Sequence, residues 1–259
     1  MTESDARLAA RLAERAGELL LDLQRTSDLT GKELGKAGDR ESNEWLLREL
    51  SLARPGDAVL SEESADSPAR LAADRVWIID PLDGTREYGM PGRPDWAVHV
   101  ALWQRGDGTG GSITDAAVAQ PALDAVYASD TMHSRDMLAT SFANTPLQFL
   151  VSDSRPPAWA TAVAVELDGE LVPMGSAGAK AMTVLRGDAD AYLHDGGQWE
   201  WDSAAPVGVV QAAGLHASRI DGSPLRYNLA HPYLPDLVIC RNDLAEAIVV
   251  AIARAVRPG

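Results

Sequence analysis

Two aspartates, Asp80 and Asp83, lie three residues apart in the segment DPLDGT, directly after the apolar run VWII. The proline and glycine of this segment predict a tight turn at the end of a strand, so both carboxylates can project to one side. Carboxylate oxygens on a compact turn suit Mg²⁺, and the carbonyl oxygen of Leu82 can point the same way. For this segment alone, an ordinary Asx turn is the alternative interpretation.

Further carboxylates occur at two other places in the chain. Glu62 and Glu63 follow the apolar run AVL in the segment SEES, and Asp202 lies at the expected start of a helix in WEWDSAAP. Two divalent cations that share a bridging carboxylate can stabilise both the attacking and the leaving oxygen of a phosphoryl transfer. The carboxylates together therefore favour a divalent-metal site of a kind that could serve a phosphoryl transfer, whereas Asp202 alone could be only a helix N-cap.

The segments SEES, DPLDGT and EWDSAAP occur in the same order as three signature elements of the inositol monophosphatase superfamily, which this chain resembles from about residue 30 to 240. Members of this superfamily are Mg²⁺-dependent, lithium-sensitive phosphatases. The resemblance implies two or three Mg²⁺ ions in each active site. It also implies an aspartate before the second helix, here Asp39, whose carboxylate meets the hydroxyl of Thr85.

The same resemblance implies roles for individual residues. Those that would ligate metal are Glu62, Asp80, Leu82 through its carbonyl, Asp83 and Asp202. Of these, Asp80 would bridge two ions, and Glu62 would also help to hold the attacking water. Thr85, oriented by Asp39, would position that water or accept its proton. The implied mechanism is direct in-line attack of water on a phosphate monoester without a phosphoenzyme, and Glu63 would be a neighbour of the ligands.

Phosphate binding is expected at the start of a helix in the segment GSAGAKAM. Free amides at a helix N-terminus bind anions, and the family uses this segment against its substrate, so Gly175 and Ser176 are candidates. The residues implied to face the phosphate from the other segments are Gly84, Thr85 and Asp202. A helix start with close packing is the alternative interpretation.

The substrate is expected to be a nucleotide. Inositol phosphatases usually continue the turn as DGTTNF, whereas this chain has DGTREY, which resembles the CysQ-type branch of the superfamily. That branch removes the 3′-phosphate of 3′-phosphoadenosine 5′-phosphate (PAP), a by-product of sulfate assimilation. Lys180 also resembles this branch and could bind the second phosphate. The chain departs from the branch in VSDSRPP, where Asp153 replaces an expected arginine, and Arg155 follows two residues later.

Two other functions remain open at this stage. One is an inositol monophosphatase or fructose-1,6-bisphosphatase with broad specificity, and the other is a non-catalytic sensor of phosphometabolites. Among the remaining candidates, His99 and His216 are expected to pack or bond locally. His194 lies near Asp202 in the sequence, and contact with substrate is the less favoured alternative for it. Trp199, Trp201 and Tyr227 could stack on an adenine, although core packing is the default interpretation.

The glycines of GDGTGG match the G-x-G-x-x-G spacing of a dinucleotide-binding turn. That motif needs a helix after it, and the following ITDAAVAQP is typical of a strand. The segment is therefore interpreted as a hairpin loop. The sequences typical of phosphate loops, nucleophilic serines, zinc proteases and EF-hands are absent from the chain.

The composition indicates a globular enzyme with an acidic surface. The formal net charge is −15, with 38 acidic and 23 basic residues, which disfavours nucleic-acid and membrane partners. The single cysteine, Cys240, precludes an intramolecular disulfide and is expected to be buried. Neither a leader nor a membrane span is found in the sequence, so a cytoplasmic location is expected.

The elements that must position these residues alternate between helices and strands. A first helix is expected to be capped by Ser4 or Asp5, and a second is expected to start between Asp39 and Ser42 and to end before RPGD. The pattern predicts an α/β fold, and the resemblance implies a layered α-β-α-β-α sandwich and a homodimer. The metal site would lie between an N-terminal half of about residues 1–147 and a C-terminal half of about 148–259.

Overall fold

The computed structural model of the chain describes residues 3–108, 110–131 and 146–256. Its first helix begins as expected, because the Ser4 hydroxyl accepts a hydrogen bond from the Arg7 amide at 3.4 Å. The α-helices of the described residues are α1 Asp5–Thr26, α2 Gly31–Ala53, α3 Thr85–Tyr88, α4 Ala160–Glu166, α5 Ala177–Leu185, α6 Glu200–Ala212 and α7 Ala245–Val256. Short 3₁₀ segments span Pro68–Ala72, Pro121–Leu123 and Asn242–Leu244.

The strands form two five-stranded sheets. They are β1 Ala58–Ser61, β2 Arg75–Asp83, β3 Ala97–Arg105, β4 Gly111–Gln120, β5 Ala125–Ala128, β6 Leu147–Ser152, β7 Gly169–Met174, β8 Ala191–Trp199, β9 His216–Ser218 and β10 Tyr233–Cys240. The first sheet has the order β1-β2-β3-β4-β5, in which β1 and β2 are parallel and the other neighbours antiparallel. The second has the order β7-β6-β8-β10-β9, in which β6 is parallel to both β7 and β8. The two remaining pairs of this sheet are antiparallel.

Helices cover both faces of each sheet. Helices α1 and α2 pack on the outer face of the first sheet, α5 and α6 lie between the sheets, and α4 and α7 cover the outer face of the second. Strand β3 shows why both faces are apolar, because Val98 and Val100 pack towards α1 and α2 while Ala97 and Ala101 pack towards the central layer. The expected α-β-α-β-α sandwich is confirmed.

The second helix begins earlier than its sequence suggests. Helix α2 starts at Gly31 rather than near Asp39, so Asp39 lies inside the helix and not before it. Glycine disfavours helices, which is why the segment GKELGKAGDR was expected to be a loop. Its glycines permit close packing instead, since a Cβ on Gly35 would lie 2.7 Å from Cγ2 of Thr85.

Replacing Gly35 with alanine should therefore lower both stability and activity. Overpacking costs about 1–3 kcal/mol, which outweighs the roughly 0.5–1 kcal/mol that alanine gains in a helix, and relief of the contact would move Thr85. Thermal unfolding and phosphate release measure the two effects. Gly56→Ala is the matched control because nothing lies within 4 Å of a Cβ at that position. Wild-type stability and turnover in Gly35→Ala would contradict the prediction.

Several smaller predictions are also confirmed. The segment GDGTGG connects the antiparallel strands β3 and β4, and the Gly106 amide donates to the Gly110 carbonyl at 2.8 Å. Cys240 is buried in β10.

Two strands differ from the expectation. Strand β9 was not anticipated, and β8 extends five residues further than the expected DAYLH, as far as Trp199. None of the helices in the described part of the chain is both long and apolar enough to cross a membrane.

Candidate active site

The turn DPLDGT brings two aspartates to the end of β2. Gly84 has φ +88°, and a Cβ there would lie 3.0 Å from the Asp95 carbonyl oxygen, so only glycine fits this turn without strain. Helix α6 begins close by, and one carboxylate oxygen from each of Asp80, Asp83 and Asp202 lies within 4.8 Å of the other two. Residues more than a hundred positions apart therefore form one acidic cluster.

Asp80 is the most enclosed member of this cluster. It is 1% exposed, and its Oδ1 accepts a hydrogen bond from the Leu82 amide at 3.0 Å. Its Oδ2 is buried and has no hydrogen-bond partner among the described residues. Burial, together with the charges of Glu62 and Asp83, raises the pKa of Asp80 well above its ordinary value. A buried carboxylate oxygen without a partner is costly, and a cation is a suitable counterpart for it.

Glu62 lies beside this cluster but is not one of the three acids whose oxygens lie within 4.8 Å of one another. The residue as a whole is exposed, but its carboxyl is largely buried beside Asp80. The resulting loss of hydration, with the nearby charge of Asp202, raises the pKa of Glu62 to about 8. Burial and the charge of Asp83 raise the pKa of Asp202 to about 7. The described residues hold this group of acids without enough positive charge, so the donor set fits a divalent cation.

Asp83 differs from its neighbours because it is well compensated. Its carboxylate accepts hydrogen bonds from the Ser176 hydroxyl at 2.5 Å and from the Ala177 and Gly178 amides at 3.1 and 2.6 Å. Nε2 of the fully buried His99 lies 3.3 Å from Asp83 Oδ2. Burial raises the pKa of Asp83, but His99 and these hydrogen bonds outweigh it and lower the pKa to about 2. Asp83 is therefore ionised at any working pH.

These contacts change the interpretation of the segment GSAGAKAM. Helix α5 does begin there, with the Ser176 side chain capping the Ala179 amide at 3.0 Å. The first free amides of the helix point at the Asp83 carboxylate, and the Gly175 amide donates to Asp95 at 3.0 Å. The amides of Gly175, Ala177 and Gly178 thus already donate to protein carboxylates. A phosphate-binding role for Gly175 and Ser176 remains a prediction.

Thr85 and Asp39 meet as the resemblance implies. The Thr85 hydroxyl lies 3.1 Å from Asp39 Oδ1 and 3.2 Å from the Leu82 carbonyl oxygen. Burial, with the charge of Glu63 nearby, raises the pKa of Asp39 to about 7. When Asp39 is protonated, it can donate to Thr85 while Thr85 donates to Leu82, so the hydroxyl is held in a defined orientation.

A pocket of about 330 Å³ opens beside the acidic cluster. Lys180 lines it, is 4% exposed, and donates to the Gly175 and Ser176 carbonyl oxygens at 2.8 and 2.7 Å. Its ammonium also lies 4.9 Å from the centre of the Tyr192 ring. Burial lowers the pKa of Lys180 to about 8, although nearby acids such as Asp83 oppose this shift.

Two further side chains line the pocket with unused hydrogen-bonding capacity. His194 is 5% exposed, and neither ring nitrogen has a partner within the described ranges. Burial and the charges of Lys180 and Arg155 lower the pKa of His194 to about 4, so the ring is neutral. Gln198 donates to the Tyr192 hydroxyl at 2.7 Å, while its own carbonyl oxygen is buried without a partner in the described part of the chain. The pocket therefore presents polar groups for a ligand.

The segment VSDSRPP, in which Asp153 replaces an expected arginine, lines the pocket. Asp153 accepts a hydrogen bond from Arg86, the arginine of DGTREY, and lies 4.0 Å from Arg93. Arg155 also lines the pocket, and its guanidinium lies over Gly197, where a Cβ would be 2.4 Å from Nη1. Asp153 is thus compensated by arginines, and Arg155 is left facing the pocket.

Three residues of this site were missed by the sequence reasoning. His99 was expected to bond locally, but it contacts Asp83 and its Nδ1 donates to the Trp201 carbonyl oxygen at 3.1 Å. Contact with substrate was the less favoured alternative for His194, and Arg86 was noted only as part of a motif. Their partners are distant in sequence, so no local pattern marks them. In contrast, His216 does bond locally, to Ser218 at 2.8 Å, and Tyr227 is buried with its hydroxyl 3.2 Å from the Ser203 hydroxyl oxygen.

Comparison with known proteins agrees with this geometry. The family model described as Inositol monophosphatase family matches residues 1–257. A Mycobacterium leprae protein named 3′-phosphoadenosine 5′-phosphate phosphatase is 56% identical over 257 residues, which cover 96% of this chain and 93% of the relative. A Mycobacterium tuberculosis protein of the same name is 56% identical over 246 residues, or 93% of this chain and 91% of the relative. The crystal structure of inositol monophosphatase-II from Staphylococcus aureus superimposes with a TM-score of 0.74 at 20% identity, covering 92% and 91% of the two chains.

Proposed function

Because the chain belongs to the inositol monophosphatase family, we propose that it is a Mg²⁺-dependent 3′(2′),5′-bisphosphate nucleotidase that converts PAP to AMP and phosphate. It is a phosphatase that acts with the help of metal ions on a small phosphorylated substrate. The observation that supports the metal dependence most directly is the unpartnered Asp80 oxygen within the acidic cluster. The substrate is supported by the 56% identity to enzymes named PAP phosphatases.

In this proposal five residues hold two or three Mg²⁺ ions. They are Glu62, Asp80, Leu82 through its carbonyl, Asp83 and Asp202. When bound, the ions supply positive charge that activates water and stabilises the leaving oxygen. They also explain how an acidic pocket wall can accept a phosphate, because without a cation the same carboxylates would repel it.

The chain's own residues would orient the attacking water. Thr85 is held between Asp39 and the Leu82 carbonyl, so its hydroxyl offers a fixed hydrogen bond to a water beside the phosphate. The water oxygen forms a bond to phosphorus in line with the ester bond that breaks. The attacking water loses one proton and the departing 3′-oxygen gains one to become a hydroxyl, so the products are AMP and inorganic phosphate.

The second phosphate would occupy the other end of the pocket. Arg155, Lys180 and His194 all line the pocket, and the charges of Arg155 and Lys180 both act on His194. The Lys180 ammonium already donates to carbonyl oxygens, so its charge rather than a free donor would act on the ligand. We therefore expect Arg155 to contact the 5′-phosphate directly.

Phosphate release from a substrate panel tests this function. The panel contains PAP, 3′-AMP, inositol 1-phosphate and fructose 1,6-bisphosphate, each with Mg²⁺ and with EDTA. We expect PAP to be the best substrate, and only with Mg²⁺. A preference for inositol 1-phosphate or fructose 1,6-bisphosphate would contradict the nucleotidase proposal. Binding of PAP without turnover would favour a sensor.

The same panel gives a specific prediction for Arg155→Ala. Loss of a charge-assisted hydrogen bond costs about 1.5–3 kcal/mol, which corresponds to a roughly 10- to 150-fold lower kcat/KM for PAP. The reduction for 3′-AMP should be much smaller, because that substrate has no 5′-phosphate. Arg254→Ala is the matched control, since this arginine pairs with Glu166 on the outer face of the second sheet. Equal losses for PAP and 3′-AMP would show that Arg155 does not bind the second phosphate.

A further inference from the structure

Arg70 is a buried arginine that is not among the residues lining the catalytic pocket. It lies in the 3₁₀ segment Pro68–Ala72 and is 1% exposed. Its Nε and Nη2 donate to the two carboxylate oxygens of Asp66 at 2.7 and 2.9 Å. Its Nη1 donates to Asn228 Oδ1 at 2.6 Å, and Nη2 also donates to the Leu229 carbonyl oxygen at 2.8 Å. Because a guanidinium is planar and rigid, these bonds fix the segment around Asp66 against the segment around Asn228.

The segment around Asn228 in turn holds the first residue of α6. Asn228 has φ +59°, and in this conformation the amides of Asn228 and Leu229 both donate to the Glu200 carboxylate, at 2.6 and 2.8 Å. Glu200 is fully buried, and its own amide donates to the Pro232 carbonyl oxygen at 2.8 Å. The start of α6 is therefore bonded to this segment through both the backbone and the side chain of Glu200. Asp202 lies two residues further along, in the same turn of the helix.

The segment that precedes Arg70 carries another of the proposed metal ligands. Glu62 lies in the turn that follows β1, eight residues before Arg70. Helix α2 also holds this turn, because the Asn43 side chain accepts a hydrogen bond from the Ser61 hydroxyl at 2.7 Å and donates to the Ser64 hydroxyl oxygen at 3.1 Å. One arginine thus connects the segment of this turn with the start of α6.

We propose that Arg70 is a positioning residue for the metal site, an inference that rests on the proposed Mg²⁺-dependent function. Glu62 is not one of the three acids whose oxygens lie within 4.8 Å of one another, so its approach to Asp202 depends on how their two segments are joined. Mg²⁺ demands near-ideal octahedral geometry at about 2.0–2.1 Å, and a small shift between the segments would impair it. Replacing residues that orient metal ligands typically lowers metal affinity by about 10- to 100-fold.

Binding of Mn²⁺ to the protein without substrate tests this inference. Mn²⁺ suits the same carboxylate, carbonyl and water ligands as Mg²⁺, and the electron paramagnetic resonance signal of free Mn²⁺ reports how much metal is bound. Arg70→Lys keeps the charge but lacks the planar fork that bonds both segments. Asn228→Gly removes the side-chain acceptor and tolerates the left-handed backbone. We expect the Kd for Mn²⁺ to rise by about 10- to 100-fold in Arg70→Lys, and to rise in Asn228→Gly as well.

Arg75→Lys is the matched control. Arg75 also joins two segments, since it donates to Asp57 at 2.9 Å and to Asp5 at 3.0 Å. It lies at the first residue of β2, at the end of the strand away from the acidic cluster. Both Arg75→Lys and Arg70→Lys should lower the Tm, whereas only Arg70→Lys should raise the Kd for Mn²⁺.

The Mg²⁺ dependence of PAP hydrolysis separates positioning from a loss of folded protein. In Arg70→Lys, the Mg²⁺ concentration for half-maximal rate should rise, while kcat at saturating Mg²⁺ should approach that of wild type. Asn228→Gly keeps the inference testable if Arg70→Lys does not fold. Wild-type Mn²⁺ affinity in both variants, or an equal rise of the Kd in Arg75→Lys, would overturn the inference.

Failure of the proposed reaction is distinguishable from failure of this inference. If the wild-type protein does not hydrolyse PAP but its Mn²⁺ affinity depends on Arg70 and Asn228, the positioning role stands and the proposed reaction fails. If PAP is hydrolysed with Mg²⁺ and Mn²⁺ affinity is indifferent to both residues, the reaction stands and the positioning role fails.

Discussion

Asp80→Asn should stabilise the metal-free protein and, at the same time, remove its Mg²⁺-dependent activity. The buried Asp80 carboxylate has one oxygen bonded to the Leu82 amide and one oxygen without a partner in the described structure. Asparagine keeps the bond to Leu82 and replaces a carboxyl whose ionised form is disfavoured by burial and by the charges of Glu62 and Asp83. The neutral amide therefore costs less to bury than the carboxylate does in the absence of a cation.

The two effects have opposite signs, which makes this variant informative. Relief of an uncompensated buried group is expected to raise the free energy of unfolding by about 1–3 kcal/mol in EDTA. Loss of one charge that organises the transition state should lower kcat by on the order of 10²- to 10³-fold in Mg²⁺. A residue with a purely structural role would lower stability and activity together.

Denaturant unfolding in EDTA and phosphate release in Mg²⁺ measure the two effects of Asp80→Asn. Asp74→Asn is the matched control, because Asp74 is an exposed partner of Arg105 and its replacement should alter neither quantity appreciably. Full Mg²⁺-dependent turnover would show that Asp80 is not a metal ligand. A variant less stable than wild type in EDTA would show that the Asp80 carboxyl is already compensated in the metal-free protein.

The second large effect is on the pH dependence of stability. Without metal, the pKa of Glu62 is raised from 4.5 to about 8 and that of Asp202 from 3.8 to about 7, mainly by burial and then by neighbouring acids. A folded state with raised carboxyl pKa values binds more protons than the unfolded state, so the free energy of unfolding falls as pH rises. The fall should extend from about pH 4 to about pH 8.

Asp83 has the opposite effect on the pH dependence of the free energy of unfolding, and it has this effect at lower pH. Its pKa is lowered from 3.8 to about 2 by His99 and hydrogen bonds that outweigh burial. The stability contributed by its ionised form is therefore complete above about pH 4 and is lost as pH falls towards 2. His194, whose pKa is lowered from 6.5 to about 4, opposes the fall between about pH 4 and 6.5, but the larger shifts of Glu62 and Asp202 outweigh it. Together these groups predict that the metal-free protein is most stable near pH 4.

Mg²⁺ should reverse this trend above pH 7, since it binds the ionised carboxylates of the folded state. At a concentration one hundred times its Kd, a ligand of the folded state adds about 2.7 kcal/mol, or roughly 5–10 °C in Tm for a domain of this size. Thermal unfolding from pH 3 to 9, in EDTA and in Mg²⁺, measures both effects. Asp80→Asn should respond to Mg²⁺ much less than Asp74→Asn does. A metal-free stability that rises between pH 5 and 8 would contradict the raised pKa values.

Much of this protein is readable from its sequence because the relevant signals are local. The turn between Asp80 and Asp83 depends on a proline and a glycine within six residues, and the first helix depends on the Ser4 cap and a regular apolar period. The order of the three acidic segments identified the family, and with it the layered fold. These features depend on neighbouring residues or on short patterns, which are visible without tertiary contacts.

Other features depended on which distant segments pack together. Helix α2 extends back to Gly31 because Gly35 packs against Thr85, and this contact exists only once the two segments are folded. The amides of α5 point at Asp83, His194 faces the pocket, and Trp199 meets His231 across more than thirty residues. The amino-acid sequence therefore determined which chemical groups are available, whereas the tertiary structure decided which are compensated and which remain free, since burial and charge at each group are set by partners distant in the chain.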